Sequence, residues 1–442
     1  MLHLLPSIAA TFLWAATTAA AADAAEIPSL SPTSSVTGKA FDRFITIWLE
    51  NTDYAKAAGD PNLKWLAERG ITLTNYFALT HPSQPNYVAA VGGDYFGLNH
   101  NGDISIASNT STIVDLLEPA GISWASYQEG MPYTGFTGHE FNNPQTKANE
   151  YKRKHSGLVS YDSVAKNEKR LGLIKNDTLF HDDLDARKLP QWVFFTPDMR
   201  NNGHDTSVTF AGNWTRSFLE PLLDNEYFMN NTLILVTFDE NHSYTKQNRV
   251  FTILMGGAVP KESHGTIDDS YYDHYSEIST VCANWNLSTL GRYDVGANVF
   301  SLVAARTNDT VLPHPDLSNV YLNDSYPGPF HKTRWAPEPL PNISLVVNGR
   351  EVAQSIKNEV RDKQGMTPYN GSLVIPDRRH PPVGMANGYG TPQAGEGVGG
   401  NGTDAQRSGA GRSSSSAPDI GRLVPVAWAV VFATTTWVGG FW

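Results

Sequence analysis

Two pairs of oxygen-donor residues stand directly behind largely apolar runs: Glu50-Asn51 after Phe41 to Leu49, and the acidic pair Asp239-Glu240 after Thr232 to Phe238. Carboxylates and an amide carbonyl are hard oxygen donors, the type a divalent cation prefers. A third apolar run, Gln191 to Thr196, is followed by Asp198 and then His204-Asp205. Single acidic residues often leave strands into solvent. Several at strand ends suit a metal site, because ligands of parallel sheets bind at the carboxyl ends of the strands.

A hydroxyl candidate lies in Thr80-His-Pro-Ser-Gln-Pro-Asn-Tyr-Val-Ala-Ala90. Ser83 sits between two prolines, ahead of a helix-like run closed by Gly92-Gly93. There its oxygen would meet the backbone N–H groups of a helix start, which favour phosphate and developing negative charge. Taken alone, the same serine reads first as an ordinary helix N-cap.

The elements that must position these residues alternate between strand and helix. Phe41 to Leu49 is predominantly apolar, as expected of a buried parallel strand. Asp60, Pro61 and Gly70 mark the start and stop of a helix over 61–69. Further strands are predicted at 122–127, 191–196, 232–238 and 250–255, with helices at 110–117 and 217–223. This order predicts an α/β protein with a mostly parallel central sheet covered by helices on both faces. A catalytic domain is expected over 41–335 and a Pro-rich extension over 336–382, with a short hairpin at 344–352. The Gly/Ser/Asn-rich segment 383–421 has too little apolar surface to bury and reads as a stalk.

The order Glu50-Asn51, Ser83-Gln-Pro-Asn86, Asp198 to Asp205 and Phe238-Asp-Glu-Asn241 resembles that of the phosphoesterase family. That family includes fungal phosphate-repressible secreted acid phosphatases and, more distantly, bacterial acid phosphatases and phospholipases C. The likeness runs from about Phe41 to Leu302. It implies an alkaline-phosphatase-like α/β/α sandwich and one divalent metal ion of unspecified identity, held by Glu50, Asn51, Ser83, Asp239 and Glu240. Some distant bacterial members carry Asp-Asp where this chain has Asp239-Glu240. The resemblance also implies phosphate-binding histidines, matched here by His155 and His204 and less closely by His274. With Lys154 as a further donor, the set suits phosphoryl transfer, which needs positioning and charge stabilisation above all. The expected reaction is hydrolysis of small phosphate monoesters through a phosphoserine. The alternatives are a phospholipase C-like phosphodiesterase and a non-catalytic cell-surface glycoprotein.

Composition and the two ends set the context. The 442 residues carry a formal net charge of -11, which disfavours nucleic-acid partners. Residues 1–22 read as a secretory signal peptide, although no Lys or Arg precedes the apolar run. Asn-x-Ser/Thr recurs at Asn109, Asn176, Asn213, Asn230, Asn241, Asn286, Asn308, Asn323, Asn342, Asn370 and Asn401, which fits passage through the secretory pathway. A glycan on Asn241 would block the acidic motif, so that sequon is expected to be unused. Cys282 is the only cysteine and reads as a small buried hydrophobe. Small residues at 409–416, a polar spacer and the apolar tail 423–442 resemble a lipid-attachment signal, which implies a cell-surface protein held by a C-terminal lipid anchor. A tail-anchoring helix is the rival reading of that tail.

Overall fold

A computed structural model describes residues 27–318 and 320–373. The predicted signal peptide, the stalk and the apolar tail lie outside the described residues. The strands, in chain order, are β1 Arg43–Leu49, β2 Ile71–Phe77, β3 Trp124–Gln128, β4 Glu140–Asn142, β5 Asn149–Lys152, β6 Ile174–Asn176, β7 Trp192–Thr196, β8 Thr232–Phe238, β9 Arg249–Met255, β10 Thr266–Asp273, β11 Val346–Val347 and β12 Arg350–Glu351. Eight of them form one sheet in the order β10-β2-β9-β8-β1-β7-β3-β6. Within it β9 alone runs against its neighbours β2 and β8; every other pairing is parallel. The expectation of a mostly parallel α/β sheet is therefore met.

All seven residues of β8, Thr-Leu-Ile-Leu-Val-Thr-Phe, are buried, so both faces of the central sheet are covered. The apolar run that suggested a doubly covered strand is thus explained by helices on each side. Helices Tyr54–Gly59, Pro61–Ala67 and Val208–Leu223 pack together as one group, and Ser83–Gly92, Tyr275–Trp285 and Ser301–Thr307 as another. Asp60 caps the second helix by accepting from the N–H groups of Asn62 and Leu63, with Pro61 at the first position as its type predicts.

Several boundaries differ from the sequence reading. The helix expected at 217–223 begins at Val208, where Ser207 Oγ accepts from Phe210 N. Its leading turns hold Gly212 and Asn213, which interrupt the apolar repeat. The helix expected over 110–117 is reduced to Val114–Leu117. Strand β2 went unrecognised because its alternating Thr and Asn positions dilute the apolar signal. The hairpin near 344–352 is present as β11–β12. Cys282 is buried, as expected of a small core residue. Among the described residues no helix is long and apolar enough to cross a membrane.

The sequons separate by burial. Asn241 is 2% exposed, and its Nδ2 donates to the carbonyls of Ser243 and Gln247. Asn323 is 8% exposed, with Nδ2 donating to the Tyr244 carbonyl. Asn213, Asn230, Asn286, Asn308 and Asn370 are exposed. In protein made through a eukaryotic secretory pathway, glycopeptide mass spectrometry is expected to find sugar at sites of the exposed group and none at Asn241 or Asn323. Occupancy of Asn241 in active, folded protein would contradict the arrangement of this loop.

Candidate active site

The register between β1 and β8 sets up the site. Leu49 is paired with Phe238, so Glu50 and Asp239 emerge side by side at the carboxyl edge of the sheet. Asp239 N–H donates to Leu49 O at 2.9 Å, which continues the ladder one step beyond the strands. The chain then turns sharply at Asn51, whose φ of 49° lies in the left-handed region that asparagine tolerates. Asp239 Oδ1 accepts from the N–H groups of Asn51 (3.2 Å) and Glu240 (2.7 Å).

Ser83 comes from the far end of β2. Its helix, Ser83–Gly92, has Pro82 at the N-cap and no side-chain cap bond, so Ser83 is not the capping residue its position allowed. Its hydroxyl faces carboxylates instead, with Oγ 3.2 Å from Glu240 Oε1 and 3.4 Å from Glu50 Oε2. Asn86 holds this turn, accepting from Leu79 N and donating to Thr80 O. One leading N–H of the helix, that of Gln84, is already taken by Asn101 Oδ1, leaving fewer for a ligand than the sequence suggested.

Glu50, Asn51, Ser83, Asp239 and Glu240 are therefore one cluster, and Glu50, Asp239 and Glu240 are at most 4% exposed. Burial, reinforced by the charges of Glu50 and Glu240, pushes Asp239 well above the usual carboxylate range. Asp239 Oδ2 is buried with no hydrogen-bond partner. Three crowded carboxylates with an orphaned oxygen fit a hard divalent cation, which would relieve both the repulsion and the missing partner. Asn51 presents Nδ2 to Glu50 Oε2 at 3.3 Å, so donating its oxygen would require the amide to turn over. Among the described residues no three His, Cys, Asp or Glu side chains are already drawn into a metal cage. What is present is a donor set, not a closed cage.

The opposite side of the cluster is basic. His155 Nε2 lies 3.1 Å from Glu50 Oε1, and burial lowers His155 to about 4. Burial alone would raise Glu50, but His155, Lys154 and His204 outweigh it and hold Glu50 at about 2. Lys154 Nζ is 3.2 Å from His204 Nε2, and His204 Nδ1 is 2.7 Å from Asp205 Oδ1. The loop that carries His204 is shaped by Asp198, whose Oδ1 accepts from Arg200 N and Asn201 N.

His274 occupies a different place from the other histidines. Its Nε2 is 2.7 Å from the Asp239 main-chain oxygen and its Nδ1 is 3.3 Å from Tyr76 OH. Both ring nitrogens are engaged and the ring packs against Trp48 at 4.3 Å, so it supports Asp239 from behind rather than facing the cluster.

Sequence reasoning missed three participants. Tyr87 donates its hydroxyl to Glu50; it stands four residues after Ser83, on the same helix face, and that spacing could have revealed it. His81 Nδ1 lies 2.7 Å from Glu240 Oε2, within the same motif as Ser83. Asn202 accepts the Glu50 N–H on its main-chain oxygen at 2.9 Å, and no sequence pattern announces that contact.

Fold and site together define an α/β protein with a buried serine among carboxylates at the carboxyl edge of a mostly parallel sheet. The phosphoesterase family model matches residues 53–288, and the chain belongs to that family. It is 54% identical over 306 residues to an acid phosphatase of Aspergillus fumigatus, covering 69% of this chain and 68% of the relative. It is 51% identical over 345 residues to a probable acid phosphatase of Kluyveromyces lactis (78% and 80% covered). A phosphate-repressible acid phosphatase of Penicillium chrysogenum is 49% identical over 348 residues (77% and 83% covered).

A buried carboxyl behind the site predicts how stability depends on pH. Burial raises Glu277 to about 8, although Trp48 Nε1 and Tyr76 OH donate to it. The folded chain keeps this proton above pH 4.5, where the unfolded chain has released it. Its contribution is therefore complete below about pH 4.5 and is lost as the pH rises towards 8. Thermal unfolding of the wild type and Glu277→Gln at fixed metal content is expected to show the wild type losing more of its midpoint between pH 5 and 8. Parallel curves for the two proteins would contradict a protonated Glu277.

Proposed function

We propose that this chain is an acid phosphatase that hydrolyses small phosphate monoesters in two steps through a phosphoserine at Ser83. The observation that carries this reading is the Ser83 hydroxyl, set 3.2 and 3.4 Å from two buried carboxylates with His155 across from them. The names of its fungal relatives, acid phosphatases at about half identity, support the reaction class.

In the proposed course Ser83 Oγ attacks phosphorus while its proton passes to Glu240 Oε1, the nearer carboxylate. The Oγ–P bond forms as the ester O–P bond breaks, and the leaving oxygen takes a proton from the Lys154–His204 pair. Water then attacks the phosphoserine and gives up its proton to the Lys154–His204 pair, while the Oγ–P bond breaks, phosphate leaves and the Glu240 proton restores the Ser83 hydroxyl. Lys154, His155 and His204 hold the phosphoryl oxygens through N–H groups, and fixed donors of this kind stabilise charge as it develops. A divalent cation bound by Glu50, Asn51, Ser83, Asp239 and Glu240 would supply Lewis-acid charge at the phosphoryl oxygens. His274 keeps Asp239 in place and does not touch the substrate. His81 and Tyr87 orient Glu240 and Glu50.

Ser83→Ala removes the nucleophile while deleting only one hydroxyl. Turnover of a small monoester is expected to fall at least about a thousandfold, roughly 4 kcal/mol of transition-state stabilisation. Acid-quenched wild type should carry phosphate on a peptide containing Ser83. A Ser83→Ala enzyme within about tenfold of wild type, with no phosphopeptide, would sink the covalent route. Exhaustive chelation, checked by elemental analysis, is expected to abolish activity and lower the unfolding temperature as the three carboxylates are left to repel one another.

We read the protein as exported and held at the cell surface by a C-terminal lipid, a reading supported by the sequons and by the small-residue, spacer and apolar-tail pattern of 409–442. Phosphatidylinositol-specific phospholipase added to intact cells is expected to release the activity. Retention of all activity on the membrane would favour a spanning tail.

A further inference from the structure

We propose that the side-chain amide of Asn202 is a direct ligand of the substrate's phosphoryl group, an inference that rests on the phosphatase reading above. Asn202 is fully buried. Its N–H donates to Asp198 O and its main-chain oxygen accepts from Glu50 N, both at 2.9 Å. These two bonds tie the loop carrying His204 to the strand end carrying Glu50. Its side chain is equally fixed at one end, where Oδ1 accepts from His204 N at 2.8 Å. Because a backbone N–H needs an acceptor, that bond also decides which end of the amide is oxygen and which is nitrogen.

The other end is bare. Asn202 Nδ2 is buried and has no hydrogen-bond partner. Buried amide donors are nearly always paired, since leaving one unpaired forfeits its hydration without compensation. An acceptor is therefore missing at a place bounded by Glu50 on one side and His204, with Lys154, on the other. In the proposed complex that acceptor is an oxygen of the phosphoryl group that Ser83 attacks. Gln84, beside Ser83, is a second buried amide with neither end paired, but nothing anchors its orientation. Asn202 is anchored. A neutral donor also suits this position, because it binds a phosphoryl oxygen without neutralising the Glu50 carboxylate that the site depends on.

Asn202 could instead act only by holding His204, and a double-mutant cycle separates the two roles. Inorganic phosphate is the probe, its binding read both by protection against thermal unfolding and by competitive inhibition. Asn202→Leu is expected to weaken phosphate binding about tenfold to a hundredfold, the range for a hydrogen bond to a charged group. The same loss is expected when Asn202→Leu is made in a His204→Ala background. An effect that vanishes there, with a change below about threefold, would make Asn202 a support for His204 and overturn the inference. Asn202→Asp keeps the acceptor for His204 N–H but replaces the donor by an oxygen. It is expected to weaken phosphate at least as much as Asn202→Leu, and wild-type affinity in this variant would also overturn the proposal, even if Asn202→Leu does not fold. If the wild type neither binds phosphate nor hydrolyses a monoester, the phosphatase reading fails and this inference with it. Intact wild-type binding with a null cycle removes the inference alone.

Discussion

Crowding of three buried carboxylates at one sheet edge is the constraint around which this molecule is organised. Glu50 and Asp239 are brought together by the in-register parallel pairing of β1 with β8, and Glu240 follows directly. Buried negative charges at this separation cannot stand alone, because desolvation and mutual repulsion both act against them. Much of the surrounding structure answers that problem. Tyr87 donates to Glu50, His155 and His81 lie at ion-pair distance from Glu50 and Glu240, and two backbone N–H groups converge on Asp239. One oxygen, Asp239 Oδ2, is still left over.

The same arrangement explains why the nucleophile candidate sits where it does. A serine at the N-cap of a helix would turn its hydroxyl to the first backbone N–H groups. Here Pro82 takes the cap position, and the Ser83 hydroxyl is free to meet the carboxylates. The helix start is held by Asn86, which bonds to the turn before it, so the placement of Oγ does not depend on a ligand. A preset nucleophile spares the reaction the cost of orienting it.

Across from this acidic side, Lys154, His155 and His204 form a basic wall, and the two sides are coupled through Glu50. The loop 198–205 joins them mechanically, with Asp198 shaping its turn and Asn202 bonding to both Glu50 and His204. Behind Asp239, His274, Trp48, Tyr76 and Glu277 make a buried polar and aromatic layer that supports it from the core side. A histidine resembling a ligand in sequence thus serves as scaffold. Which histidine does which job follows from where its two nitrogens point, and spacing along the chain carries no information about that.

The chain itself announced the α/β class, because short apolar runs such as Thr232 to Phe238, rich in β-branched residues and alternating with helical stretches, suit strands covered on both faces. It also announced the donor residues, because donor pairs directly after such runs must emerge at strand ends. Local chemistry was enough for the Asp60–Pro61 helix start and for the burial of Cys282. The strand β2, with its alternating polar positions, and the reversed direction of β9 were hidden, since both depend on what lies alongside. The same holds for the site. His81 and Tyr87 are orienting residues only because their partners arrive from other strands, and His274 is withdrawn only because Asp239 O and Tyr76 occupy its ring. The sequence by itself determined which groups could do chemistry and which elements would carry them. Tertiary structure alone decided which of those groups meet, because strand register and the remaining hydrogen-bond partners are set by segments far away in the chain.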